Sequence, residues 1–315
     1  MSAPRWRMRH LPGYLLASSV LFCLRLLPRR AGCAAGRLLG RGFYFLSGRH
    51  RRMALRNLHA ALGREISAES LRRIALATFA HMGQLITDSA YFSRVLRMPT
   101  DRIAVYEGVE NLRDAAADGR GILVFSGHFG HWELIALLQH RLGYPMAMVA
   151  SPLENPLFNR LLVDLREQCG NRVIPKRNAA RPVLRTLHDG GAVAILIDQN
   201  VRGEGGIFVD FFTVPASTTP ALATLSLKSG APIVPVFSYP QPDGRLLIRY
   251  RKPIRWVRSG TLPDDIHALT AHCTRLLEEE IRARPDLWLW MHNRWRTRPP
   301  SGRVPAERAS ASAPD

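Results

Sequence analysis

Acidic residues are missing from the first 64 positions of this 315-residue chain: Glu65 comes first, after thirteen arginines (5, 7, 9, 25, 29, 30, 37, 41, 49, 51, 52, 56 and 64). Lysine is scarce throughout, occurring only as Lys176, Lys228 and Lys252. Arginine therefore carries the positive charge as a compositional habit, but that habit does not account for the missing acids. The four cysteines (23, 33, 169 and 273) form no CxxC pair and no cluster with histidine. This argues against a zinc module or a disulfide framework and fits a reducing compartment. No apolar run reaches the roughly 20 residues of a membrane span. The chain also lacks a GxSxG elbow, an HExxH helix, an internal repeat, and any helix-turn-helix, zinc-finger or aromatic RNA-binding signature.

What is present folds. Hydrophobic residues make up 46% of the chain, which argues against wholesale disorder, and the length suits one large domain with appendages. We read residues 1–60 as a basic, membrane-associating helical segment, 61–298 as the catalytic domain and 299–315, rich in Pro, Ser and Ala, as a disordered tail. Forty-four basic against 25 acidic residues give a formal charge of +19. Nucleic acid or an anionic membrane surface is the natural partner class for such a chain.

The N-terminal stretch HLPGYLLASSVLFCLRLLP carries an apolar run from Leu11 to Leu24, interrupted by Arg25. It is short for a span and suits a tilted anchor or an interfacial helix. Arg25 and Arg30 sit badly with a secretory signal ending at Cys33, and arginines on both flanks favour the cytoplasmic leaflet. A helix that only packs on its own domain is the alternative. From Ser67, an N-cap with Glu69 in the first turn, apolar residues at helical spacing predict an amphipathic helix that ends before Pro99.

Short apolar runs follow at 121–126, 145–150, 192–197, 232–237 and 245–250. The first four are nearly continuous, as in strands buried on both faces, and the last alternates, as at an edge. Helical stretches are expected from near Trp132, Pro156, Ala179 and Ala216, and a last one over 263–284. The expected fold is α/β: a central mostly parallel or mixed sheet flanked by helices, with a helical N-terminal membrane-associating segment.

The stretch GILVFSGHFGHWE, residues 121 to 133, brings His128 out at the C-terminal end of a buried strand, where open α/β sheets hold their ligands. Gly127 permits a tight turn. If a helix starts at once, Glu133 folds back toward His128 and can fix one ring nitrogen while the other takes a proton from a substrate hydroxyl. A zinc site from His128, His131 and Glu133 lacks further ligands in sequence. A histidine satisfied only by the helix start remains open, and His131 is read as peripheral.

HFGHWE resembles the H-x4-[D/E] motif of glycerolipid acyltransferases. The closer likeness is to the bacterial late acyltransferases of lipid A biosynthesis, the lauroyl and myristoyl transferases, within the lysophospholipid acyltransferase superfamily. RRMALRNLHAALG, NPLFNRLLVDLREQCG, ILIDQN and FVDFFTVPASTTPALATLSLKSGAPIVPVF resemble further family segments in order, so the likeness covers roughly residues 45 to 250. Thr213 departs from it, standing where the family commonly has glycine.

The resemblance implies His128 as general base, Glu133 orienting it, and Arg166 stabilising charge on the thioester oxygen or gripping an acceptor phosphate. Asp198 and Gln199 would line the acceptor site. It implies no cofactor and no metal. The donor would be an acyl carrier protein or coenzyme A thioester and the acceptor an anionic lipid, a lipid A precursor foremost, at the cytoplasmic face of a bacterial inner membrane; nucleic acid is not expected as a partner. Lysophospholipid, aminolipid or glycolipid acceptors are the alternatives. So is a non-catalytic basic protein that binds anionic lipid or nucleic acid.

Overall fold

The computed structural model describes residues 11–167 and 170–300. Arg5, Arg7, Arg9, Cys169 and the tail from 301 onward lie outside the described residues.

The chain begins with four helices: α1 (Leu11–Leu26), α2 (Arg29–Leu46), α3 (Gly48–Leu62) and α4 (Ala68–Ser89). Pro28 separates the first two, since it cannot continue a helix but suits the start of the next. The Ser67 hydroxyl caps α4 by accepting from the Ser70 amide. Helices α2 and α4 touch backbone to backbone along Gly36 and Gly40, and Gly32 lies against the Tyr91 ring. A Cβ at Gly40 would come within 2.1 Å of the Phe79 carbonyl oxygen, and one at Gly83 within 2.1 Å of the Gly36 oxygen. Only hydrogen fits there. At one end of this seam Arg29 and the Cys33 thiol both donate to the buried Asp88 carboxylate, at 2.8 and 3.2 Å. A short helix, α5 (Phe92–Val95), leads to the sheet.

The remaining elements are β1 (Ala104–Glu107), α6 (Val109–Ala117), β2 (Ile122–Ser126), α7 (Trp132–Gln139), β3 (Met146–Ala150), α8 (Pro156–Glu167), β4 (Arg172–Pro175), α9 (Ala180–His188), β5 (Ala192–Leu196), β6 (Ile207–Phe211), β7 (Val214–Thr218), α10 (Ala221–Ser229), β8 (Ile233–Pro240), β9 (Leu246–Tyr250) and α11 (Leu262–Ala283). Seven strands form one sheet in the order β1-β9-β8-β2-β5-β3-β4, and β6 and β7 form a separate hairpin. Every pair in the large sheet is parallel except β8 with β9, so the sheet is mixed but mostly parallel.

The continuous apolar strands divide by alternation. Leu123, Phe125, Val193 and Ile195 enter one buried cluster with Val183, Leu222 and Leu277, which also takes in Ala54 and Leu58 from α3. Ile122, Val124 and Ala192 enter the other, with Ile135 and Leu138 of α7. Both faces are covered, so no polar alternation survives in these strands.

Two expectations differ from the structure. The alternating strand β9 is not at the edge: the four-residue β1 lies outside it. The stretch expected to turn helical near Ala216 is strand β7, and α10 begins five residues later. The two-residue turn between β6 and β7 is Phe212 and Thr213, both at positive φ (53° and 61°), the conformation a tight hairpin of this hand requires. Among the described residues no helix is long and apolar enough to cross a membrane.

Candidate active site

Strands β2 and β5 are adjacent and parallel, with Ser126 opposite Leu196, so the turns that follow them emerge side by side. This brings His128 and Asp198 together across 70 positions of chain. The His128 Nδ1 lies 2.8 Å from Asp198 Oδ1, and the His128 backbone N–H donates to Oδ2 at 2.7 Å. Gly127 is required by this approach: a Cβ there would stand 2.9 Å from the Leu277 side chain and 3.2 Å from Asp198 Oδ2. The Trp288 indole N–H donates to Oδ2 as well, at 2.8 Å. Asp198 is 3% exposed and lies beneath the imidazole rather than on a wall open to an acceptor. The carboxylate that holds the ring, expected at Glu133, is therefore found at Asp198.

Glu133 stands in the first turn of α7 and is gripped by Arg166 from the last turn of α8, with Nε to Oε2 at 2.9 Å and Nη2 to Oε1 at 2.5 Å. Trp132 Nε1 also donates to it at 3.1 Å, and the Trp132 ring meets His128 edge-on at 5.1 Å between centroids. Arg166 thus engages a carboxylate in a bidentate fork. The Gln199 amide nitrogen is 3.3 Å from His128 Nε2. The five residues singled out in the sequence all meet at one sheet edge, in two closed charge pairs with Gln199 at the opening.

Electrostatics follow the geometry. Burial disfavours the charged imidazole of His128, but the Asp198 charge and hydrogen bond outweigh it, with Glu133 adding to them, and the His128 pKa is raised. Burial would push the Asp198 pKa up, yet His128 and the three donated hydrogen bonds hold the carboxyl well below the usual range. The imidazole is thus fixed in orientation by Nδ1, and Nε2 is the atom that can take or give a proton.

Beside this centre opens a cavity of about 850 Å³. His128, Glu133, Arg166 and Gln199 stand at one side of it, and Val124, Ile135, Met146, Met148 and Val236 carry its lining into the apolar face of α7. Apolar walls with a few convergent polar groups are the usual form of a ligand site.

His131 is no mere turn residue. It is 3% exposed, its ring nitrogens make no hydrogen bond, and Nε2 faces Asp88 Oδ2 at 3.6 Å. Its backbone N–H donates to the Ser238 hydroxyl at 2.7 Å. His128, His131 and Glu133 therefore face three different partners, and among the described residues no group of three or more His, Cys, Asp or Glu side chains is arranged to hold a metal ion. Trp288 escaped the sequence reading. Its only signal there is an aromatic run, WLW, 160 residues beyond His128.

A histidine held by a buried carboxylate beside an apolar cavity is an arrangement suited to moving a proton at an apolar ligand. The sequence model of the family described as bacterial lipid A biosynthesis acyltransferase matches residues 2–297, and the chain belongs to this family. It is 30% identical to the lipid A biosynthesis lauroyltransferase of Escherichia coli K12 over 276 residues, 86% of this chain and 85% of that one. The lipid A biosynthesis palmitoleoyltransferase of the same organism is 29% identical over 239 residues, 74% of each chain. The phosphatidylinositol mannoside acyltransferase of Mycobacterium tuberculosis H37Rv is 25% identical over 218 residues, 65% of this chain and 66% of that one.

Proposed function

We propose that this acyltransferase moves a fatty acyl chain from an acyl carrier protein or coenzyme A thioester to a hydroxyl of a lipid A precursor. The observation that carries the reading is the His128–Asp198 pair at the rim of the apolar cavity, with Nδ1 bound to a buried carboxylate and Nε2 beside the opening. His128 Nε2 takes the acceptor's hydroxyl proton as its oxygen bonds to the thioester carbon. The tetrahedral intermediate then expels the thiolate, which receives that proton from the imidazolium, so the histidine ends as it began. Charge on the former carbonyl oxygen meets the Gln199 amide and the Arg166 N–H groups that Glu133 leaves over. The Glu133–Arg166 pair ties α7 to α8 across the cavity mouth, and the acyl chain lies along Met146, Met148 and Val236.

The N-terminal helices suit a membrane surface. No residue of α1 is buried, and Leu16, Phe22 and Leu26 are 62–70% exposed, as are Leu38, Phe45 and Leu46 of α2 at 65–87%. An apolar face of this extent, flanked by the arginines of residues 25–52, fits the interface of an anionic leaflet. The cytoplasmic face of a bacterial inner membrane answers the positive-inside bias.

Purified protein in detergent, offered acyl carrier protein and coenzyme A thioesters of several chain lengths with a lipid A precursor, a lysophospholipid or a phosphatidylinositol mannoside, tests the reading. His128→Ala should lower turnover about a thousandfold or more while fold and lipid association persist. Equal turnover in the variant would remove His128 as base, and transfer only to another acceptor would replace the lipid A assignment.

A further inference from the structure

The segment after α11 turns back into the site. Leu289 N–H donates to the His128 carbonyl at 3.1 Å, Gly130 N–H donates to the Leu287 carbonyl at 3.0 Å, and Phe129 and Trp288 pair as an antiparallel bridge. On the other side the His292 ring accepts the Asn200 N–H at 3.0 Å. Asn57 of α3 donates to the Trp290 and His292 carbonyls at 2.8 and 2.6 Å, fastening the segment from outside. One stretch of backbone thus ties the turn that bears the base to the turn that bears its carboxylate. Trp288 stands between them, 0% exposed, with its N–H on Asp198 Oδ2.

Resting on the reading of His128 as base, we propose that Trp288 is a positioning residue of the reaction, which holds Asp198 in the rotamer that presents Oδ1 to the histidine and moderates the charge it delivers. The argument is one of valence. A carboxylate buried at this depth needs its oxygens fully occupied. Oδ1 serves the ring; Oδ2 takes two donors, the His128 amide and the indole, that approach from different chain segments. With both in place the carboxylate cannot rotate without breaking three bonds. Each donor also draws negative charge away from Oδ1, so the pair with Nδ1 is weaker than it would be with a bare anion. The other charged groups near the pair are Glu133 of α7, Arg166 of α8, and His292 and Arg294 of the C-terminal segment itself.

Trp288→Phe keeps the ring and deletes the donor. Profiles of kcat and kcat/KM against pH should be measured for this variant, Asp198→Asn and His128→Ala, with thermal unfolding alongside. The phenylalanine variant should lose roughly tenfold in kcat with KM little changed. Its acidic limb in kcat/KM should move to higher pH, because an unmoderated carboxylate holds the histidine proton more tightly. Asp198→Asn should move that limb the other way. A tryptophan that only packs would lower the unfolding midpoint and leave the limb in place, which would overturn the proposal. Failure of the base reading is distinguishable: His128→Ala would then retain turnover whatever the Trp288 variant does. If the phenylalanine variant does not fold, the indole proton of Trp288 in 15N-labelled wild-type protein decides. A downfield position that collapses in Asp198→Asn supports the donor, and an unchanged resonance overturns it.

Discussion

His81 of α4 is 6% exposed, and its Nε2 lies 3.1 Å from the carbonyl oxygen of Gly130, in the turn that carries His128. A neutral ring donating to that carbonyl satisfies both groups. Burial lowers its pKa from the ordinary 6.5 to about 4; the Gly130 hydrogen bond works the other way and is outweighed. Between these values the unfolded chain binds a proton that the folded one refuses, so stability must fall as pH drops from 6.5 toward 4 and lose no more from this group below that. The interval corresponds to about 3 kcal/mol, or roughly 5 °C in the unfolding midpoint of a chain this size. Thermal unfolding at pH 7.5 and 4.5 of wild type and His81→Gln isolates the effect, because glutamine keeps an N–H donor but does not titrate. The wild type should lose about 2.5 kcal/mol more than the variant over that range. Parallel losses, or a His81 ring that titrates near 6.5 by NMR, would refute the reasoning.

Other perturbations follow from the same contacts. Asp198→Asn should lower kcat about a hundredfold or more with the fold intact, since the ring loses the acceptor that orients it; steady-state kinetics beside circular dichroism check this. Thr213→Gly should raise stability by up to about 1 kcal/mol in a denaturant titration, because glycine adopts positive φ without the steric penalty threonine bears in the β6–β7 turn. Gly40→Ala should cost about 1–3 kcal/mol by the same titration, as its methyl would drive α2 off the Phe79 carbonyl.

The parts of the fold written in local pattern were readable in advance. Strands β2, β3, β5 and β8 announced themselves because both their faces are buried, and α4 because Ser67 marks its start. β1 and β4 span four residues each, too few to show a period. The β6–β7 hairpin carries Phe-Thr where a glycine or asparagine would have signalled a turn, so its second strand passed for helix. At the site, His128, Glu133, Arg166, Asp198 and Gln199 stand out in the sequence and lie together in the structure, but their pairing is not legible in the sequence. Glu133 was assigned to His128 by nearness in sequence, whereas the contact with Asp198 depends on the register of β2 against β5, and Trp288 on the return of the chain after α11. Long-range pairing of this kind has no local signature.

The two charge pairs at the site have a consequence for a protein of such unequal charge. With His128 protonated its charge is cancelled by Asp198, and that of Arg166 by Glu133, so these two pairs carry no net charge in that state on a molecule of formal charge +19. On the proposed function, capture of an acidic substrate falls to the arginine-rich exterior, which dissolved ions screen, whereas chemistry at His128 falls beside two partly buried ion pairs that they screen less. Added salt should therefore erode the efficiency with which dilute substrates are gathered and leave the speed of a saturated enzyme almost untouched.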